Sequence, residues 1–357
     1  MNYRPSLLTG FYLALALAAS QSAFAQAPVI RPGASINAEA PMDAAERATV
    51  VEDLAKRLND SFVFPDVAAR YAAMLREKLS LGAYDQLTDP SAFAKRITED
   101  LQAVSPDRHL RLAPAAAFAA MTARVGGHID LTKMPPALEE AKMIDTVAYL
   151  RFNLFPDDPA VATQARNFLL QHADAKAVII DSRTNHGGDL TVMDQILPLL
   201  YARPTILVRM DTRTSADGGP PSAAMIRQTA PKSLVRYDHR VIPDTTETRL
   251  QKVPVFYLVS AQTGSAAEHL ALAFKRTKRA TIIGQTTAGL GHYGGVEPIG
   301  KRFAAFIPVG RTYDPDTNWD WEGVGVTPDV VVPADQALDE ALNRISAGSV
   351  GASSGTD

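Results

Sequence analysis

The chain has 357 residues, which at roughly 150 per domain allows one large unit and one smaller one. Hydrophobic residues make up 46% and charged residues 21%, a globular composition that excludes collagen-like, coiled-coil and disordered chains. The net charge of −3, without a Lys/Arg run interleaved with aromatics, argues against nucleic acid as a partner. The absence of cysteine removes disulfides, thiolate metal sites and cysteine nucleophiles, so covalent chemistry must come from Ser, Thr, Lys or a carboxylate.

In chain order, residues 1–25 have the form of a cleavable export signal. Arg4 supplies the positive start and Ala23-Phe24-Ala25 the small-x-small cleavage site. The apolar run from Leu7 to Ala19 is shorter than the roughly 20 residues a membrane span needs, so no stable membrane insertion is expected. The mature chain then starts near Gln26 and is periplasmic or extracellular. Residues 26–41, rich in Pro, Ala and Gly, read as a linker.

A small helical domain is predicted over 42–112. Asp43 caps a helix carrying Val50, Val51, Leu54 and Leu58. Phe64-Pro65-Asp66 breaks it, and a second helix carries Val67, Tyr71, Met74 and Leu75. Asp89, followed by Pro90 at the first helical position, opens a third with Phe93, Ile97, Leu101 and Val104. After Ser105-Pro106-Asp107, residues 109–112 alternate like a strand, and 113–145 form a connecting segment.

From residue 146 to 345 strands alternate with helices, which predicts an α/β core with a mixed β-sheet covered by helices. Strands are expected at 146–152, 177–181, 205–209, 253–260, 280–283 and 303–308, and helices near 159–172, 191–201, 265–277 and 336–345. Residues 211–250 fit neither pattern and read as a lid or substrate-contacting excursion. Residues 346–357 form a Ser/Gly-rich flexible tail.

Three segments could carry chemistry. In the first, an apolar strand runs through a Gly-containing turn into a helix beginning at Ser265. There a serine hydroxyl sits beside unpaired N–H groups and the positive helix end, a setting that stabilises an oxyanion. Ser265-x-x-Glu268 equally fits a capping box, and both roles can coexist. The second segment, 181–188, places Gly187 and Gly188 after an apolar strand, where their N–H groups can point at a ligand or simply form a turn. The third, 284–295, is glycine-rich but lacks the Gly-Lys-Ser/Thr of a phosphate loop and reads as a mobile cleft-lining loop. The seven histidines show no ligand spacing, so no zinc or other metal is expected.

Five elements in register resemble the tail-specific (C-terminal processing) protease family of serine peptidases. They are Asp-x-His-Leu at 107–110, Asp-x-Arg-x-Asn-x-Gly-Gly at 181–188, Thr-x-Ser-Ala-Ala-Glu at 263–268, Gly-x-Thr-Thr-Ala-Gly at 284–289, and Trp-Glu-Gly-x-Gly-Val-x-Pro-Asp at 321–329. The pattern is most similar to the branch of the interphotoreceptor retinoid-binding protein repeats and, more distantly, tricorn protease. The resemblance implies a ClpP/crotonase-like core, a serine peptidase activity on peptide or protein substrates, and no cofactor. It implies Ser265 as nucleophile, and the N–H of Ala266 with that of Gly187 or Gly188 as oxyanion hole. Relatives with a Ser–Lys pair place the lysine where Leu290 stands, and no lysine occurs between Lys278 and Lys301. That departure points to the tricorn-like arrangement, with His109 as base and Glu322 as its supporting carboxylate, His292 being the alternative base. With about 33 residues between the His109 strand and the core, no PDZ module is expected. Two other readings of the same fold are a hydrophobic-ligand binder of retinoid or fatty-acid type and a small-molecule esterase or amidase.

Overall fold

The computed structural model describes residues 40–118 and 135–353, so the expected signal, the linker up to residue 39 and the last tail residues lie outside the described residues. The three expected helices are present: α1 (Ala44–Ser61), α2 (Pro65–Ser80) and α3 (Pro90–Val104). Asp43 and Asp89 cap α1 and α3, their carboxylates accepting the N–H of Glu46 at 2.8 Å and of Ala92 at 2.7 Å. The helices do not bury their apolar stripes only against one another. Val50, Leu54, Tyr71, Phe93 and Ile97 share one core with Leu112, Phe303, Ala305 and Ile307 from two strands, so the helical unit roofs a sheet.

That sheet is antiparallel and contains β1 (Arg111–Pro114), β5 (Thr205–Arg213), β6 (Met225–Gln228), β7 (Leu234–Val241), β10 (His292–Ile299) and β11 (Phe303–Tyr313). Its order is β1-β11-β5-β7-β6, with β10 paired to β11. A second six-stranded sheet has the order β12-β9-β8-β4-β3-β2, built from β2 (Leu138–Ile144), β3 (Val147–Phe152), β4 (Ala177–Asp181), β8 (Val255–Val259), β9 (Thr281–Gly284) and β12 (Val330–Val331). It is parallel except for the β2–β3 hairpin. Every residue of β4 and β8 is buried, as continuous apolar runs covered on both faces require. Val178 and Ile180 face the core holding α4 (Pro159–Gln171), α5 (Thr191–Ile196) and α6 (Ala266–Thr277). Ala177 and Ile179 face the other side, where α7 (Ala337–Ser353) packs through Ala337 and Ala341.

Two features differ most from expectation, besides α7 running on to Ser353 through the expected tail and β10 making a strand of the end of the expected 284–295 loop. Residues 211–250 are not one excursion: β5 continues to Arg213, and β6 and β7 complete the antiparallel sheet. Charges hide the alternation, because Val235, Tyr237, His239 and Val241 are buried while Arg236 pairs with Asp211 across the strands at 2.6 Å. The second is β2, inside the expected connecting segment, whose Leu-Glu-Glu-Ala-Lys-Met-Ile sequence has little strand character of its own. Pairing with β3 around a turn with Asp145 at φ 51° makes it a strand.

Because Phe303 is buried at the junction of both units and meets Phe93 edge-on at 5.8 Å, Phe303→Ala is expected to cost about 3–5 kcal/mol. Urea unfolding followed by circular dichroism measures it, and a loss under about 1 kcal/mol would show that the helical unit is not docked this way.

Candidate active site

Buried β8 ends in a turn that delivers Ser265 to the N-terminus of α6 with φ 51° and ψ −119°, a backbone strained for any non-glycine residue. Neighbouring groups impose that geometry. The Ser265 N–H donates to the Glu268 carboxylate at 2.9 Å, and the Gly264 N–H to the Asn185 carbonyl at 3.0 Å. Ser265 and Glu268 are placed as a capping box, but the Glu268 N–H makes its hydrogen bond to the Ser265 carbonyl, at 2.8 Å, rather than to the hydroxyl. The Ser265 hydroxyl therefore has no hydrogen-bond partner among the described residues and stays available.

The 181–188 loop is laced to this turn. Asp181 is fully buried and pairs with Arg183 at 2.6 Å, which fixes the loop's start. Thr263 donates its hydroxyl to the Ser182 carbonyl at 2.7 Å. Asn185 accepts the N–H of Gly187 at 2.8 Å, so that donor is already committed. Gly187 has φ 102°, and a Cβ there would lie 2.7 Å from the Ser265 Cβ, so a side chain would displace the serine. Gly188 has φ 123°, and its missing Cβ would lie 2.0 Å from the Phe155 carbonyl oxygen. Among the described residues the N–H groups of Gly188 and Ala266 make no hydrogen bond, leaving both as donors next to Ser265.

A second cluster holds the other expected residues. His109 stacks on Phe306 and turns Nδ1 toward Glu322 Oε2, 3.8 Å away. Glu322 accepts the backbone N–H of Arg108 and of Gly291, each at 2.7 Å, and of His292 at 3.0 Å. Burial opposes its ionisation, but His109, the His292 charge and these donors hold it below the usual carboxylate range. Asp107 accepts the N–H groups of His109 and Leu110 on one oxygen and binds His292 Nδ1 at 2.7 Å with the other. His292 Nε2 is sealed from solvent 3.8 Å from Asp320. Burial works against a charge on His292, yet the hydrogen bond to Asp107, the nearby Asp320 carboxylate and the Asp107 and Glu322 charges push its pKa up to about 9. Among the described residues Asp107, His109 and Glu322 form the one group of three whose donor atoms lie within 4.8 Å of one another. Their oxygens are already occupied by five backbone N–H groups.

One loop joins the two clusters. Glu268, fully buried, accepts from the Thr287 hydroxyl, the Gly289 N–H at 2.7 Å and the Leu290 N–H at 2.8 Å, in addition to Ser265. The next two residues, Gly291 and His292, are held by Glu322. Burial raises the Glu268 pKa while its four donors pull it back. A cavity of about 290 Å³ lies against Ser265, Gly188, Ala266, Leu290 and His292; His109 and Glu322 are not in its lining. Neither imidazole is hydrogen-bonded to the Ser265 hydroxyl. Reading the residues alone missed Asp107 as the partner of His292, although Asp107 stands in the Asp-x-His-Leu element. It also missed the contact of His239 with His269, residues 30 apart in sequence.

Residues 146–332 match the model of peptidase family S41. The chain belongs to peptidase family S41. Residues 44–147 match the N-terminal domain of this family as found in eukaryotic interphotoreceptor retinoid-binding protein. Two curated relatives are similar: carboxyl-terminal-processing peptidase 2, chloroplastic, of Arabidopsis thaliana, 26% identical over 54% of this chain and 33% of its own length, and a carboxy-terminal-processing protease of Bartonella bacilliformis, 27% identical over 44% and 31%. The chain thus spans about a third of the length of the curated relatives it matches. The solved photosystem II D1 C-terminal processing protease shares the fold, with a TM-score of 0.52, 14% identity, and coverage of 82% of this chain and 94% of its own. In this S41 chain the described residues include no helix long and apolar enough to cross a membrane.

The charge on His292 predicts a pH dependence of stability. Its pKa of about 9 lies above the roughly 6.5 of an unfolded histidine, so its contribution is complete below about pH 6.5 and disappears as pH rises through about 9. Between those limits the protein is expected to lose about 3 kcal/mol that His292→Gln does not lose. Urea midpoints across that range, parallel in the two proteins, would overturn the assignment of the charge.

Proposed function

We propose that the chain is an exported serine peptidase that cleaves peptide bonds through an acyl-enzyme at Ser265, with His109 as general base and Glu322 orienting it. The observation that carries this reading is the strained Ser265, whose hydroxyl is free of its own helix cap and stands beside two uncommitted N–H groups. The resemblance in five elements and membership of family S41 support it.

In the proposed reaction the Ser265 oxygen attacks the peptide carbonyl while His109 Nε2 takes its proton. The N–H groups of Gly188 and Ala266 and the positive end of α6 stabilise the oxyanion. Gly187, its own N–H spent on Asn185, serves by allowing the close approach. The proton passes to the leaving amine, and water then releases the acyl group by the same route. A general base must be neutral at rest. His292, with a pKa of about 9, is neutral in only about one molecule in a hundred at pH 7. His109 keeps Nδ1 toward Glu322 and leaves Nε2 unsealed, as a base requires.

Fluorophosphonate labelling tests the assignment. A single adduct is expected on Ser265, and Ser265→Ala abolishes it. His109→Ala is expected to lower kcat/KM on peptides by about 10³–10⁴-fold. A greater loss in His292→Gln than in His109→Ala would transfer the base role to His292. A protein inert to the probe and to peptides that binds retinol or fatty acids would replace the peptidase reading with ligand carriage. Expression in a Gram-negative host followed by mass spectrometry of the periplasmic fraction is expected to give a chain starting at or within a few residues of Gln26. A full-length cytoplasmic product would end the export reading.

A further inference from the structure

The cavity beside Ser265 is built like a side-chain pocket. Leu190, Met210, Leu290 and Trp321 give it apolar walls, and about 290 Å³ is ample for an aromatic ring, since an apolar cavity of about 150 Å³ holds benzene. One turn along α6 from Ser265, on the same helix face, His269 also lines it. His269 is 3% exposed, and it is joined through a buried relay to another element. His269 Nε2 lies 2.8 Å from His239 Nδ1, and His239 Nε2 lies 2.8 Å from Asp194 Oδ1. None of these three residues serves the proposed hydrolysis.

With both rings neutral the relay has one arrangement of protons. The Asp194 carboxylate can only accept, so His239 carries its proton on Nε2 and leaves Nδ1 as an acceptor. His269 must then donate from Nε2, and its Nδ1 holds a lone pair. That nitrogen has no hydrogen-bond partner among the described residues and is not sealed from solvent, and its residue lines the cavity. Burial keeps His269 neutral by lowering its pKa well below the ordinary value. Of the other ionisable groups in the wall, Asp189 has Oδ1 committed to the Thr191 N–H at 2.8 Å and hydroxyl, with Oδ2 left for the lysine arm of the test below, and His292 is bound by Asp107. The hydroxyl of Tyr293 is bonded to Thr212 at 2.7 Å.

We propose, resting on the peptidase reading, that this cavity receives the substrate side chain on the acyl side of the scissile bond and selects tyrosine. The ring fills the apolar walls, and the phenol O–H donates to His269 Nδ1, held as an acceptor by His239 and Asp194. Phenylalanine leaves that acceptor unpaired, and O-methyltyrosine sets a second acceptor against it.

The test compares fluorogenic peptides that differ only in Tyr, Phe, O-methyltyrosine or Lys at this position, at about pH 8, where unperturbed imidazole is neutral. Tyr is expected to exceed both Phe and O-methyltyrosine in kcat/KM by about tenfold. His269→Leu removes the acceptor at nearly constant volume and is expected to bring the Tyr:Phe ratio to about one or below. Equal turnover of Tyr and Phe, a ratio unchanged in His269→Leu, or faster turnover of Lys would each overturn the proposal while leaving fluorophosphonate labelling of Ser265 intact. If Ser265 is not labelled and no peptide is cleaved, the peptidase reading fails by itself. The pocket is then decided by titrating the protein with 4-methylphenol and toluene. Preference for the phenol that disappears in His269→Leu supports the acceptor pocket, and no preference overturns it.

Discussion

Two buried carboxylates hold the candidate site together, and the segment between residues 287 and 292 is suspended between them. Glu268 takes the hydroxyl of Thr287 and the N–H groups of Gly289 and Leu290, while also bracing Ser265. Glu322 takes the N–H groups of Gly291 and His292 from the same segment and faces His109. A carboxylate removed from water needs several donors, and a loop removed from water needs acceptors for its N–H groups. Each requirement satisfies the other. The result is a rigid link between the serine on α6 and the histidines at the antiparallel sheet, made without a disulfide.

The two histidines of that cluster show how position decides the chemistry of identical side chains. His292 opens β10 with carboxylates near both ring nitrogens, an environment that favours the cation. His109 lies on the loop before β1 with one carboxylate near Nδ1 and the other nitrogen open to a proton donor. Composition cannot separate them. The residues that do are Asp107 and Asp320, reached only when β1 and β10 pair with opposite edges of β11.

Local signals in the sequence carried the helical unit and the parallel sheet. Asp43 and Asp89 mark helix starts because a short carboxylate satisfies the first N–H groups of the turn, whatever the helix later packs against. The runs at β4 and β8 mark strands because a sheet covered on both faces must be apolar throughout. Where a strand is half exposed and its partners are distant, the signal fades. The Arg236–Asp211 pair reads as a polar loop along the chain, and it becomes a cross-strand ion pair only when β5 and β7 meet. β2 depends still more on context, since its hairpin partner supplies what its own residues lack.

The candidate site divides the same way. The sequence alone placed a serine at a helix start after an apolar strand and paired glycines after another, because both follow from short-range backbone chemistry. It also identified His109, Glu322 and His292 as the groups to consider, through motifs. Which glycine N–H remains free, which imidazole carries the charge, and that His269 faces the cavity at the end of a relay to Asp194 were decided by the tertiary structure. These depend on hydrogen bonds between residues far apart in the chain, and on burial, which sets the cost of leaving any of them unmade.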